Sequence, residues 1–324
     1  MSQGPNIDGV LIQWGDRLFY PGNRVVKVKP QPKLAGGSAR QRAAAIRERI
    51  EATVVRRAPQ VMVKVTGGGR GMKAIAAHFR YISKNGRLDI EDEHGETMRG
   101  TDTLYDLADD WRLGGTLIED GAKPGQPREA FNIMLSMPRG TDPLAVHHAA
   151  REFAKIELAD YKYVMVLHDH QANPHVHISV RAESKHGKRM NPRKADLHRW
   201  RETFAEKLRE RGVEAEATRQ ATRGRSRNDE PLWRIKARQD GRLRTSRPTA
   251  KSGAQAVTTR AEAVEAWIQV GRALATSAEK ADRDLAHSIA AFVQEFAPVS
   301  PTVASKTQTQ PTPAPKPIEI DPRR

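Results

Sequence analysis

The sequence predicts an α/β (α+β) chain, with a central sheet that contains an antiparallel pair and is flanked by helices. Three observations predict it. Apolar residues recur at period two in some stretches and at helical spacing in others, and the two patterns alternate between Gln60 and Gly212. The turn from Asp169 to Asn173 is short enough to fold one apolar run back on the next. No run of about 18 apolar residues is present, so no membrane insertion is expected.

The elements follow in order. Residues 1–58 carry "VLIQW" and "RLFY", which read as short strands, and "ARQRAAAIRERIEA", which reads as a basic helix; together they suggest an appended, partly ordered arm. "QVMVKV" (Gln60–Val65) alternates like a strand. The following "TGGGRG" lacks the Gly-Lys-Ser/Thr ending of a phosphate-binding loop, so it reads as a glycine turn. In "MKAIAAHFRYISKNG", Met72, Ile75, Ala76, Phe79 and Ile82 form one apolar stripe, and Asn85-Gly86 stops the helix. Tyr81 lies about 200° around that helix from Phe79, with Lys73, Arg80 and Lys84 beside it. "DTLYDLADDWRLGG" reads as an acidic amphipathic helix, "AFNIMLSMPRGTD" as a strand and turn, and "DPLAVHHAAREFAKIELA" as a helix. His147 and His148 are adjacent there, so they point in different directions and read as surface residues. "YKYVMVLHD" and "PHVHISVRAES" are strands, and "ADLHRWRETFAEKLRERG" is a helix ended by Gly212. Beyond Ser226 the chain turns basic and irregular, then helical. The last 27 residues, rich in Pro, Thr, Gln and Ala, read as disordered. The expected organisation is an arm (1–58), a catalytic domain (59–231), a basic linker and helical region (232–297), and a disordered tail (298–324).

Composition narrows the function. The absence of cysteine rules out disulfides and thiolate metal sites and fits a reducing compartment. The start, MSQGPNIDGVL, has no basic-then-apolar leader, which argues against export by that route. The net charge is +16, and it is uneven. Between Arg181 and Arg247 stand 21 Lys/Arg and 10 Asp/Glu, whereas Leu88–Asp120 holds 11 Asp/Glu against Arg99 and Arg112. A basic block of this size suits a polyanion such as nucleic acid.

The sequence "HDHQANPHVH" (His168–His177) holds four of the eleven histidines. His175 and His177 are two apart on a strand, so they share a face at about 7 Å. His168 ends the preceding strand, and the turn folds it back beside His175. Three imidazoles on an apolar face lose stability unless they find partners. Imidazole is the commonest protein ligand for divalent metals, and three ligands leave coordination positions open, as in catalytic sites. His170 lies inside the turn.

Several motifs now align with one family. "FRYISKNGRLDI" (Phe79–Ile90), "IMLSMPRGTD" (Ile133–Asp142), "HDHQANPHVHISV" (His168–Val180) and "EATRQATRGRSRNDEP" (Glu216–Pro231) occur in the order found in the P-class conjugative relaxases of the HUH endonuclease superfamily. The chain resembles that family over about 59–231, and within it most resembles the T-DNA border relaxases of agrobacteria. The resemblance implies an HUH relaxase-type sheet. It also implies an enzyme that nicks single-stranded DNA at an origin of transfer and rejoins it during conjugative mobilisation. Tyr81 would be the nucleophile, leaving a 5′-phosphotyrosine and a free 3′-OH. His168, His175 and His177 would hold a divalent metal, Mg or Mn by the resemblance, with Zn, Ni or Co also compatible with three imidazoles. Relatives often carry an acid two residues after the first histidine; here that position is His170, with Asp169 beside it, so the acid/base role stays open between these two. Where some relatives begin the central strand with a histidine, this chain has Phe131-Asn132. Arg80, Lys84 and Arg87 are the expected phosphate contacts near the nucleophile, and Lys185, Lys188, Arg189, Arg193 and Lys194 those along a DNA track. Accessory relaxosome proteins and a type IV coupling protein are the implied partners. The implied location is the bacterial cytoplasm, with transfer alongside DNA into a recipient cell.

Two other readings fit part of the pattern: a rolling-circle replication initiator, and a non-enzymatic DNA-binding protein with a structural metal site. A histidine-rich metallohydrolase leaves the Tyr81 helix and the basic block unexplained. The charge analysis makes one direct prediction. If the basic block contacts phosphates, the logarithm of affinity for single-stranded DNA will fall linearly with the logarithm of salt, with a slope of about −0.7 per phosphate neutralised. A salt-independent affinity in filter-binding titrations would remove the block from the DNA interface.

Overall fold

The computed structural model describes residues 6–20, 39–122, 125–225, 232–243 and 253–296. The expected disordered tail lies outside the described residues. Among those described, no helix is long and apolar enough to cross a membrane.

The chain is mixed α/β. Helices α1 (Ile7–Phe19) and α2 (Ala39–Val54) precede β1 (Met62–Gly67) and α3 (Met72–Ile82). A short hairpin, β2 (Ile90–Asp92) and β3 (Thr97–Met98), leads into α4 (Thr101–Leu113). Then come β4 (Ala130–Ser136), α5 (Pro143–Glu157), β5 (Tyr161–His168), β6 (His175–Ser184) and α6 (Lys194–Arg209). Helices α7 (Leu232–Gln239), α8 (Ala254–Ala275) and α9 (Lys280–Gln294) follow. The six strands form one sheet in the order β1-β4-β6-β5-β2-β3, with every neighbouring pair antiparallel.

Strand parity sorts the side chains between two layers. Val63, Ile133, Leu135, Val176, Ile178, Val180, Tyr163 and Met165 face α5 and α6, where Phe153, Trp200, Phe204 and Leu208 complete the main core. On the opposite face, Val164 and Val166 of β5 and Ile90 of β2 pack under α3 and α4. The α3 stripe behaves as its spacing predicts: Met72, Ile75, Phe79 and Ile82 are all buried. Phe79 meets Trp111 of α4 edge-to-face, with ring centroids 4.8 Å apart. That pair adds roughly 0.5–1.5 kcal/mol beyond its buried area and fixes α3 against α4.

A second core lies outside the sheet. Leu11, Leu18 and Phe19 of α1, Ile46 and Ile50 of α2, Trp267 and Val270 of α8, and Ile289 and Phe292 of α9 pack together. The expectation of short strands in residues 7–19 is therefore corrected. The segment is one helix, capped where the Asn6 side chain accepts from the Gly9 amide. "VLIQW" and "RLFY" were ambiguous because short apolar runs fit either period. The arm is also built in: Leu11, Gly15 and Leu18 present one buried face. A Cβ on Gly15 would come within 2.5 Å of Ile46 Cγ2, so glycine permits the close α1–α2 approach.

The second core is joined to the sheet domain by polar anchors. The buried Arg49 of α2 reaches Glu216 at 2.8 Å and Glu202 of α6 at 3.0 Å. Its guanidinium lies over the rings of Phe19 and Tyr20, at 4.8 and 4.9 Å. Burial pushes the Glu202 carboxyl above its ordinary range, and Arg49 opposes that shift. Trp267 Nε1 donates to the Thr222 carbonyl at 2.8 Å, and Thr222 Oγ1 donates to the Leu18 carbonyl at 2.9 Å. Removing Arg49 would take from two buried carboxylates their nearest cation, leaving Glu216 with Arg209 at 3.8 Å. Arg49→Ala is expected to cost about 3–5 kcal/mol in denaturant-induced unfolding, far more than an exposed ion pair would. A loss within the scatter of surface substitutions would show that the joint is not stabilised by this cluster.

Candidate metal and nucleophile site

The β5–β6 hairpin assembles the histidines by register. His168 pairs directly with His175, and His177 lies opposite Val166. All three imidazoles are buried, with residue exposures of 4%, 6% and 8% for His168, His175 and His177. Their ring centroids lie 4.7–5.0 Å apart. One nitrogen from each lies within 4.8 Å of the others.

Backbone carbonyls set the tautomers. A carbonyl can only accept, so His168 Nε2 donates to the Ile82 carbonyl at 2.6 Å and His175 Nδ1 donates to the Asn173 carbonyl at 2.9 Å. This leaves a lone pair on His168 Nδ1 and on His175 Nε2. His168 Nδ1 and His177 Nδ1 are buried without a protein partner. Orphaned buried nitrogens are costly unless something else satisfies them. Neutral rings whose other nitrogen is pinned to a carbonyl are the usual outer support of metal-binding histidines. Burial lowers the proton affinity of all three rings, and pushes that of His177 down to about 3. The residues present therefore fit a divalent cation: neutral nitrogen donors, converging, with unspent lone pairs.

Tyr81 stands beside this cluster. It is 67% exposed, on the side of α3 away from the buried stripe. Its ring centroid lies 6.3 Å from that of His177, at 77°. The turn after α3 makes this placement possible. Lys84, Asn85 and Gly86 all have positive φ, at 51°, 58° and 77°. Only glycine fits the last position, because a Cβ there would come within 2.4 Å of the Gly100 backbone. The sharp exit leaves the Ile82 carbonyl free to accept from His168. The end of the tyrosine helix and the end of β5 are thus held together by one hydrogen bond.

The other expected residues divide. His170 is exposed at the rim, its ring centroid 5.1 Å from that of His168. Asp169 is exposed and makes no hydrogen bond or ion pair with another described residue. Arg80 is exposed on α3 beside Tyr81 in the chain, Lys84 and Arg87 are exposed in the turn that follows, and Lys84 is close enough to His168 to disfavour its protonation. The basic block is not brought beside the histidines. Lys185 follows the far end of β6, about 26 Å from His177 along an extended strand. There it pairs with Asp160 at 3.0 Å. Lys188 and Arg189 lie in the same turn, and Arg189 donates to the Arg128 carbonyl. Arg193 and Lys194 open α6, on the opposite face of the sheet. His147 is not a simple surface residue; it meets the buried Glu91 at 3.2 Å, alongside Arg151.

Two features were missed by sequence reasoning. His78 lies one turn before Tyr81, its ring at 27° to the Tyr81 ring with centroids 6.0 Å apart. It also meets His177 edge-on at 6.4 Å. The available signal was the i, i+3 spacing of His78 and Tyr81 on one helix side. The second feature is an open floor. Across the sheet, Met62 and Ser136 continue the row of His175 and His168, and Lys64 and Met134 continue the row of His177. Met62 and Lys64 are exposed. Asn132 sits on this face too, where its side-chain oxygen accepts from Ser179 at 3.3 Å.

A family model for the MobA/VirD2-like relaxase nuclease domain matches residues 81–213, beginning at Tyr81 and including all four histidines of the motif. The T-DNA border endonuclease VirD2 of Agrobacterium fabrum strain C58 is 27% identical over 184 residues, 51% of this chain and 41% of that protein. VirD2 of Rhizobium radiobacter is 25% identical over 183 residues, 51% and 43% of the two chains. VirD2 of Rhizobium rhizogenes is 26% identical over 134 residues, 37% and 30%. The chain thus spans less than half the length of these curated relatives.

The geometry separates the four histidines experimentally. His168→Ala, His175→Ala and His177→Ala are each expected to weaken Mn²⁺ binding in calorimetry by more than the roughly 10–100-fold that loss of an outer partner costs. His170→Ala should stay within that range or below it. Because burial depresses the proton affinity of the three rings, protons compete weakly, and binding should hold steady as pH falls through the ordinary imidazole range and decline only below it. Equal losses in all four variants would make His170 a ligand.

Proposed function

The chain carries a MobA/VirD2-like relaxase nuclease domain, and on that premise we propose that it is a DNA strand transferase that nicks and rejoins single-stranded DNA at an origin of transfer. The observation that carries this reading is the exposed Tyr81 ring, 6.3 Å from that of His177, one of three converging imidazoles. A structural metal site has no need of an exposed tyrosine beside it.

The reaction assigned to these residues is a transesterification. The Tyr81 oxygen attacks the scissile phosphorus as the bond to the 3′ oxygen breaks. The phenolic proton leaves, the 3′ oxygen takes up a proton, and the products are a 5′-phosphotyrosine and a free 3′-OH. One phosphoester replaces another, so the reverse attack by a 3′-OH rejoins the strand without ATP. A tyrosine hydroxyl with an ordinary pKa near 10 is a poor nucleophile at neutral pH, so its electrophile must be activated. His168, His175 and His177 would hold a divalent cation, whose contribution when bound is to polarise the phosphate and neutralise developing charge. We assign the proton transfer to His170 or Asp169; the 5.1 Å approach of His170 to His168 favours His170. Arg80, Lys84 and Arg87, exposed on and just after the helix that carries Tyr81, would supply positive charge for the flanking phosphates.

Single-stranded DNA is the substrate this site suits, because the reacting strand must lie on one face of the sheet within reach of both Tyr81 and the histidines. Exposed Met62 and Lys64 beside the histidine rows offer an apolar contact for bases and a cation for the backbone. Lys185, Lys188, Arg189, Arg193 and Lys194 would engage DNA only at a distance from the cut. The helices of the second core lie outside the matched stretch and are the natural docking place for accessory relaxosome and coupling proteins.

The test uses radiolabelled single-stranded oligonucleotides tiled across the DNA that flanks the coding sequence, with Mn²⁺ or Mg²⁺. The wild-type chain should give a denaturation-resistant adduct with one of them. Tyr81→Phe should keep DNA affinity and lose the adduct entirely. Tight binding with no adduct from the wild-type chain would favour a DNA-binding protein with a structural metal site. An adduct that survives in Tyr81→Phe would move the nucleophile elsewhere, with the exposed Tyr105 next to be tested.

A further inference from the structure

We propose that His78 is a positioning residue for Tyr81, a ring that holds the nucleophile's side chain toward the histidine cluster; the inference rests on the strand-transfer reading above. Tyr81 is exposed, and no hydrogen bond to another described residue fixes it. A tyrosine in that situation samples several rotamers. Here two rings flank it. His78, one turn earlier, lies nearly parallel to the Tyr81 ring with centroids 6.0 Å apart. His177 meets it edge-on at 6.3 Å. His78 and His177 in turn meet edge-on at 6.4 Å, so the three rings close a triangle. These separations and angles are those that aromatic pairs prefer.

The cost of His78 argues that the ring is there for this purpose. It is half-buried, and its Nε2 is buried without a partner among the described residues. An alanine or leucine would satisfy the helix as well and leave no orphaned nitrogen. His78 does not belong to the group of nitrogens that converge for a cation, which consists of His168, His175 and His177. What it contributes is a planar face on one side of Tyr81, set by the rigid helix that also carries Tyr81. The directions open to the Tyr81 ring are thereby narrowed, so less orientation is left for the bound DNA to impose.

Two measurements test this. The first needs no activity: in the metal-free protein with 13C-labelled tyrosine rings, the Tyr81 signals are assigned by their loss in Tyr81→Phe. They should be displaced from free-tyrosine values in wild type, collapse toward them in His78→Ala and His78→Gln, and remain displaced in His78→Phe. The second is the single-turnover rate of adduct formation at saturating oligonucleotide. His78→Ala and His78→Gln should slow it about tenfold with DNA affinity unchanged, within what loss of reactant orientation can cost. His78→Phe should recover most of that loss, which a proton-transfer or ligand role would not allow. Wild-type ring signals and rates in His78→Ala, or failure of His78→Phe to restore either, would overturn the proposal. If the wild-type chain forms no adduct at all, the strand-transfer reading falls instead, while the ring signals still decide whether His78 holds Tyr81.

Discussion

The site depends on one hydrogen bond, from His168 Nε2 to the Ile82 carbonyl at 2.6 Å. The last carbonyls of a helix have no partner within it and must find one elsewhere. In α3 the chain leaves through three residues of positive φ, and one freed carbonyl is met by an imidazole from the end of β5. That bond fixes the tautomer of His168, so its other nitrogen carries the lone pair. It also sets the height of α3 over the sheet, and with it the position of Tyr81. The register of β5 against β6 then adds His175 directly opposite and His177 one step along. Tyr81 and the imidazoles are thus positioned by one contact and one hairpin, both held between packed layers.

The local chemistry was legible where it follows from parity. Spacing alone put His175 and His177 on one face, brought His168 back beside them, and turned Tyr81 away from the α3 stripe. What spacing could not reach were distances set by tertiary packing. The contacts of His78 with Tyr81 and His177 exist only because α3 lies over the sheet. The basic block looked adjacent to the histidines because it follows them in the chain. Yet β6 is ten residues long, and its far end lies well away from the site. The β2–β3 hairpin was overlooked because its strands are only three and two residues long, and only its pairing with β5 makes it part of the sheet.

The outer helices illustrate a different limit. Residues 7–19 carry short apolar runs that suit either period, and nothing nearby in sequence decides between them. Their partners are α2, α8 and α9, the last two being far along the chain. The choice of helix is made by burial against Trp267 and Val270, which no local window contains. Arg49 shows the same dependence. Read alone, it is one of many arginines in a basic helix; folded, it lies between two carboxylates and two aromatic rings.

That long-range core has a consequence for how the molecule comes into being. Helices α1 and α2 leave the ribosome before the sheet, while the α8 and α9 partners that help cover Leu11, Ile46 and Ile50 are made after it. During that interval two amphipathic helices stand with their apolar faces bare, beside a nascent sheet that is itself assembled from distant strands. Chains in this state are prone to stick to one another. Contacts between segments so far apart are also slow to form, because loop closure must come before any packing rewards it. The protein therefore has a built-in waiting period in its biosynthesis, and a chaperone that shields the first two helices would act at the step where the fold is most exposed.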